Sequence, residues 1–213
     1  MSDDFGVSGP SEDVVQYQDG HCRRVLSVEE AFDRKFEQDR VFVLPGRACW
    51  LEGDGEVLVS VVGVGIVLSI YDEQLKFGVL AHCVLSRLVL DAFPALVGVD
   101  DAEIQKVVAP IEAAIAEMKK HGAGRNRIRT RLFGGAVLAG GGAEDGLKGL
   151  IFVKEYLHRK GVKVMSEDVG GNALRRIYFV PSSGVATRFA LRRKEDFDEL
   201  VRRESEYFID INN

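Results

Sequence analysis

VLVSVVGVGIVLSIY, residues 57–71, is the longest apolar run in the chain, and its interruptions decide how it folds. Ser60, Gly63, Gly65 and Ser69 break it, so it never reaches the roughly 18 uninterrupted apolar residues of a membrane-spanning helix. A β-branched run of this length with glycines at its centre reads as two buried strands, 56–62 and 66–71, with a glycine turn between them.

Outward from that pair, Asp72 to Lys76 reads as a turn and Gly78 to Leu85 as another apolar strand. Upstream, 41–44 and 47–51 are strand candidates, and Asp54-Gly55 is a hairpin turn leading into 56–62. Earlier still, Ser27-Val-Glu-Glu30 matches a capping box, with Ala31, Phe32 and Phe36 on the face of a short helix. Residues 1–20 carry little to bury and read as a flexible tail.

Downstream, Ile104, Val107, Val108, Ile111, Ile115 and Met118 recur at the helical period. Asp100 or Asp101 caps that helix and Gly122 ends it, while Pro110 either kinks it or opens a second one. The basic run Arg125 to Arg131 leads into a strand ending near Phe133 and reads as a solvated edge or a partner-facing patch. Glycines 134, 135, 140, 141, 142 and 146 mark a mobile loop. A helix over 146–160 places Leu147, Leu150, Ile151 and Leu157 on its apolar face, with Gly161 as its stop. Val162–Met165, Arg175–Val180 and Val185–Leu191 read as strands, the last two joined by a turn at Pro181-Ser-Ser-Gly184. Phe197, Leu200, Val201 and Phe208 give a C-terminal helix over 194–213. This order, strand-rich with two or three inserted helices, predicts an α+β layered sandwich with mostly antiparallel strands.

Composition narrows the function. The 213 residues carry a net charge of −5, which argues against a nucleic-acid partner. The N-terminal stretch lacks a basic region followed by an apolar one, so a cytoplasmic protein without membrane insertion is expected. Three unevenly spaced cysteines, Cys22, Cys49 and Cys83, do not form a paired framework but leave room for one catalytic thiol. No cofactor or metal is expected. Gly63-Val-Gly65 lacks the third glycine of a dinucleotide fingerprint, no phosphate-loop lysine is present, and His21-Cys22 reads better as a surface pair than as metal ligands.

Several pieces occur in a set order. Leu44-Pro45-Gly46 comes first, then Val61-Val-Gly63-Val-Gly65-Ile66-Val67 running on to Tyr71-Asp72. Gly78-Val-Leu-Ala81-His82, Gly134-Gly135-Ala136 and Glu167-Asp168-Val-Gly170-Gly171-Asn172-Ala-Leu-Arg175 follow. Over roughly residues 44 to 192 this order resembles the chemoreceptor glutamine deamidase family, CheD. The resemblance implies a layered sandwich similar to the catalytic domain of deamidating toxins, here a domain over 21–193. It implies deamidation of receptor glutamines by a cysteine, a histidine and a threonine. It also implies two kinds of partner, chemoreceptor cytoplasmic helices and a CheC-type phosphatase.

The chain departs from the family's T-x-G-x-G-S-C pattern. The threonine position holds Val61, the serine position Ile66 and the cysteine position Val67, while the histidine is kept as His82. Valine has no proton to lose and no lone pair, so it is neither nucleophile nor orienting group. The family's proline after the histidine is Ser86, and its helix-start motif becomes Glu144-Asp-Gly-Leu-Lys-Gly149. Gly63, Gly65, Gly170, Gly171 and Arg175 are retained and are expected to be binding positions. The plainest reading of Val61, Ile66 and Val67 is strand core, and of His82 a buried, hydrogen-bonded histidine rather than a working base. Cys83 should face away from His82 by strand alternation, and Cys49 approaches it only if its strand lies alongside. Two functions follow: a CheD-like binder of receptors or a CheC-type partner without the cysteine mechanism, or an active protein-glutamine amidohydrolase with a displaced nucleophile such as Cys49, Cys83, Ser60 or Ser69.

Overall fold

The computed structural model describes residues 14–18, 21–25, 40–51, 56–96, 98, 100–137 and 144–191. In chain order the elements are β1 (Val14–Gln18), β2 (His21–Val25), β3 (Arg40–Phe42), β4 (Ala48–Trp50), β5 (Val57–Val62), β6 (Ile66–Asp72) and β7 (Phe77–Cys83). They continue with α1 (Arg87–Ala92), α2 (Asp101–Lys120), β8 (Ile128–Gly134), α3 (Asp145–Arg159), β9 (Val164–Val169), β10 (Leu174–Val180) and β11 (Val185–Leu191).

The strands form two sheets, ordered β2-β1-β11-β10-β5-β3 and β4-β7-β6-β8-β9. Among the described residues, β3 with β5 and β8 with β9 pair in parallel and the other pairs are antiparallel. The expected α+β layered architecture is therefore the one observed. The sheets face each other across a core of Leu58, Val62, Val67, Tyr71, Leu80, Phe133, Ile177 and Phe179. The far face of the five-stranded sheet is covered by the helices, through Ile66, Leu68, Ile70, Ala81, Cys83, Val108, Ile111, Met118, Val153 and Leu157.

Both long helices stop by the same device. Gly122 and Gly161 take positive φ, 82° and 71°. Around them Ala123 and Val162 donate back to the carbonyls of Met118 and Leu157, each at 2.9 Å. The helix across Pro110 is one element of 20 residues, capped by the Asp100 carboxylate on Glu103 N–H at 2.8 Å.

Several expectations need correction. The run 57–71 does give two buried strands, but they belong to different sheets: Gly63 to Gly65 carry the chain from one layer to the other. The hairpin expected between 47–51 and 56–62 does not form, because β4 pairs with β7 and β5 with β3 and β10; the Asp54-Gly55 turn itself lies outside the described residues. Within the stretch read as a tail, Val14–Gln18 form β1, whose Val14 to Tyr17 pair with β11. β8 lies between β6 and β9 rather than at an edge, and Arg131 is 3% exposed, donating to the Gly184 carbonyl of the facing sheet at 2.6 Å. On α3, Leu147 and Ile151 are exposed; Gly149, Phe152 and Val153 take the buried face with Leu150 and Leu157. β9 runs to Val169, beyond the expected end at Met165. The capping-box helix at 27–36 and the C-terminal helix at 194–213 lie outside the described residues.

Candidate functional site

The site forms where the chain crosses between sheets. The Gly65 carbonyl accepts from Gly135 N–H at 2.9 Å and the Gly63 carbonyl from Ala136 N–H at 2.8 Å. Gly134 in turn accepts from Gly170 N–H, and Gly171 from Val137 N–H. A Cβ on Gly134 would run into the Gly65 carbonyl, and one on Gly146 would lie 2.5 Å from the Gly135 carbonyl. Gly134, Gly135 and Gly146, expected in a mobile loop, are instead close-packed backbone. Four distant parts of the sequence thus meet in one clasp, and all the expected binding glycines are in it.

Arg175 serves this clasp structurally. It is 7% exposed, and it donates to Asp168 at 2.9 Å and to the Gly170 carbonyl at 2.8 Å. Asp168 also accepts from Arg188 at 2.7 Å, which ties β9 of one sheet to β10 and β11 of the other.

His82 lies beside the crossover, on β7, and is fully buried. Its Nδ1 is 3.0 Å from Ser60 Oγ, and Ser60 Oγ donates to the Val43 carbonyl at 2.9 Å. Since the carbonyl has no proton to give, the serine proton goes there, and Nδ1–H is left as the donor to Oγ. Nε2 is then the unprotonated nitrogen, and it has no hydrogen-bond partner. Burial pushes the imidazole pKa down to about 4, against the weaker opposite effect of the Val43 carbonyl, so the ring is neutral at pH 7.

Val67 is the register partner of His82 across the β6–β7 ladder and is fully buried in the core between the sheets. The position that addresses Nε2 is two residues earlier: a Cβ on Gly65 would lie 3.2 Å from it. Val61 packs with Leu174 and Leu191, in a different cluster from the core between the sheets. Strand alternation turns Ser60 inward instead, so the hydroxyl beside His82 is that of Ser60. Sequence reasoning considered Ser60 only as a displaced nucleophile; the signal for its actual place is that it is the one polar residue in the inward series Leu58, Ser60, Val62.

The cysteines do not fill the gap at Nε2. Cys83 packs in the core under the helices, on the opposite face of β7, where burial raises its thiol pKa far above the ordinary range. β4 does lie alongside β7, with Cys49 opposite Leu80 and half-buried. But β4 flanks β7 on the side away from β6 and Gly65. Burial raises the Cys49 pKa despite the charge of Arg47. Cys22 is on β2, the far edge of the other sheet. Among the described residues no group of three or more His, Cys, Asp or Glu is placed to hold a metal ion. No described helix is long and apolar enough to cross a membrane.

A cavity of about 220 Å³ opens next to this position, lined by Val64, Gly65, Val84, Leu85 and Leu90 and by the Arg87–Asp145 ion pair at 2.5 Å. Ser86 caps α1 above it, its Oγ accepting from Val89 N–H at 3.4 Å.

Known proteins share this arrangement of sequence. The profile of the family described as CheD chemotactic sensory transduction matches residues 105–188. A protein of Zymomonas mobilis named "Probable chemoreceptor glutamine deamidase CheD" is 31% identical over 148 residues, covering 69% of this chain and 78% of that protein. Proteins of the same name from Laribacter hongkongensis and Cupriavidus pinatubonensis are 30% and 28% identical, covering 81% and 86% of this chain and 86% and 84% of their own lengths. With the ordered glycine clasp, the sheet crossover and the histidine beside it, these matches place the chain in the CheD family.

Proposed function

We propose that this chain is a cytoplasmic CheD-like chemotaxis protein that binds chemoreceptor helices or a CheC-type partner without cysteine-dependent glutamine deamidation. The observation that carries this reading is the glycine at position 65. The imidazole has its orienting hydroxyl, but the position facing its basic nitrogen bears no side chain, and Cys49 and Cys83 lie elsewhere. The closed glycine clasp supports retention of the family's surface after loss of its chemistry. The protein then acts as an adaptor or a decoy, occupying a receptor or partner without altering it.

The test has two arms. Immobilised receptor cytoplasmic helices and CheC-type proteins should retain the purified chain; retention by neither overturns the reading. Incubation with a receptor panel that an active CheD modifies should release no ammonia. It should also leave peptide masses without the increase of about one dalton that converting an amide to an acid brings. Turnover abolished by substituting Cys49, Cys83 or His82 would establish the active-enzyme alternative instead.

A further inference from the structure

We propose that residues 194–213 fold back as a helix over the outer face of the six-stranded sheet, so that the chain's own acidic segment closes this face to partners. A partner then has the clasp and the helix-covered side to bind.

The face is covered, and no described element covers it. Val57, Val59, Tyr178 and Phe189 form one apolar cluster there, and Leu174, Leu191 and Val61 a second. Neither includes a residue of α1, α2 or α3, which pack against the five-stranded sheet. Yet Val57 and Leu174 are 0% exposed, Val59 is 1%, Leu191 2% and Phe189 4%. A solvated sheet face does not bury its side chains to this degree, so what shields them lies outside the described residues.

The length fits residues 194–208. The shielded strip follows β5, β10 and β11 from the level of Val57 to that of Leu191 and stops short of the edge, where Phe42, outward-facing on β3, is 49% exposed. Seven strand residues span about 23 Å, and residues 194–208 span roughly 22 Å as a helix. They start just after Leu191, which ends β11 beside Leu174 at one end of the strip, so a helix doubling back along the strands covers it. Phe197, Leu200, Val201 and Phe208 form its apolar face. Phe197 then lies over Leu174 and Leu191, and Phe208, about 16 Å further on, toward Val57. The stretch 26–39, also outside the described residues, joins β2 to β3 at opposite edges and so runs across the strands rather than along them.

The charges fit as well. The six strands of this sheet contain six arginines and no Asp or Glu. Arg175 and Arg188 point inward onto Asp168. Arg40 lies over the Tyr178 ring at 5.6 Å, and Arg176 stands between Phe189 and Val61 in the ladder, both on the outer face. Residues 194–213 carry seven acidic side chains against three basic ones. An acidic amphipathic helix thus meets an apolar strip set with arginines.

Hydrogen exchange of the full chain, read by mass spectrometry, tests the cover. Amides of 198–208 should exchange at least about tenfold slower than in an unstructured chain. Leu200→Glu should return them to the unstructured rate and raise binding of a hydrophobic dye several-fold, because the strip is uncovered. Phe36→Glu should change neither. Should Leu200→Glu fold poorly, a double-mutant cycle decides. The urea-midpoint shifts of Phe208→Ala and Val57→Ala, combined, should fall short of their sum, whereas those of Phe197→Ala and Val57→Ala should add. Unprotected amides at 198–208, or additive shifts for Phe208 and Val57, overturn the proposal. So does dye binding that rises with Phe36→Glu instead of Leu200→Glu, or that rises on dilution of the wild-type chain to a monomer, as a covering second copy would give.

Discussion

Replacing Ser60 with alanine removes one oxygen and takes from two buried groups the hydroxyl they share. The serine is 1% exposed, and its hydroxyl holds both Nδ1 of His82, at 3.0 Å, and the Val43 carbonyl, at 2.9 Å. Each group left unsatisfied costs roughly 1–3 kcal/mol, offset in part because the serine hydroxyl no longer has to be desolvated. The expected loss is about 2–4 kcal/mol, which for a chain of this size is a fall in Tm of roughly 5–15 °C. A urea titration at pH 7.5 with an unchanged m-value would measure it. The position is specific, so adding Val61→Thr to Ser60→Ala should restore nothing, because residue 61 packs with Leu174 and Leu191 rather than in the core that holds His82. A Ser60→Ala protein within about 0.5 kcal/mol of wild type, or rescue by threonine at 61, would refute the hydrogen-bonding assignment.

Three further outcomes follow. His82 is neutral in the fold with a pKa of about 4, against about 6.5 when unfolded, so its contribution is fully present above pH 6.5 and is lost as pH falls toward 4; roughly 3 kcal/mol should disappear over that window, and pH-dependent urea titrations of His82→Gln should lack the loss. Asp72 is fully buried, yet hydrogen bonds from Arg127 and from the N–H groups of Leu75, Gln74 and Gly124 outweigh the upward push of burial and hold its pKa below the usual value. Asp72→Asn should cost about 3–5 kcal/mol at pH 7 in a urea titration. The difference from wild type should shrink below pH 4, as the native carboxylate is itself protonated. Gly134→Ala, at φ 108° with its Cβ driven into the Gly65 carbonyl, should destabilise by on the order of 3 kcal/mol in thermal unfolding and expose the amide of Gly135 to hydrogen exchange.

The local elements were legible because their signals are local. The period of α2, its Asp100 cap and the glycine stops at 122 and 161 all lie within one segment of sequence. Pairing was not legible in the same way. Nothing in residues 57–71 distinguishes a hairpin from a crossover between sheets, because both need buried strands around glycines; the choice is made by β10 and β7, more than a hundred and about ten residues away. The basic run misled for a similar reason. Arg131 looks solvated until the Gly184 carbonyl, which is 53 residues distant, is placed against it. At the site, motif spacing led to Val61 and Val67; Val67 does stand opposite His82 in the β6–β7 ladder, but the hydroxyl on the imidazole comes from residue 60 rather than 61. A one-residue displacement turns a strand side chain to the other face, so a spacing argument has little tolerance there.

The crossover at Gly63 to Gly65 separates what joins the two sheets from what stands beside His82. Its hydrogen bonds to Gly135 and Ala136 run entirely through main-chain atoms. No side chain at 65 contributes to them, so a reactive group at that point is an ornament on a scaffold that stands without it. Filling the position is a different matter: a Cβ at residue 65 would lie 2.9 Å from the Cys83 carbonyl, so any side chain there requires the main chain of β7 to give way.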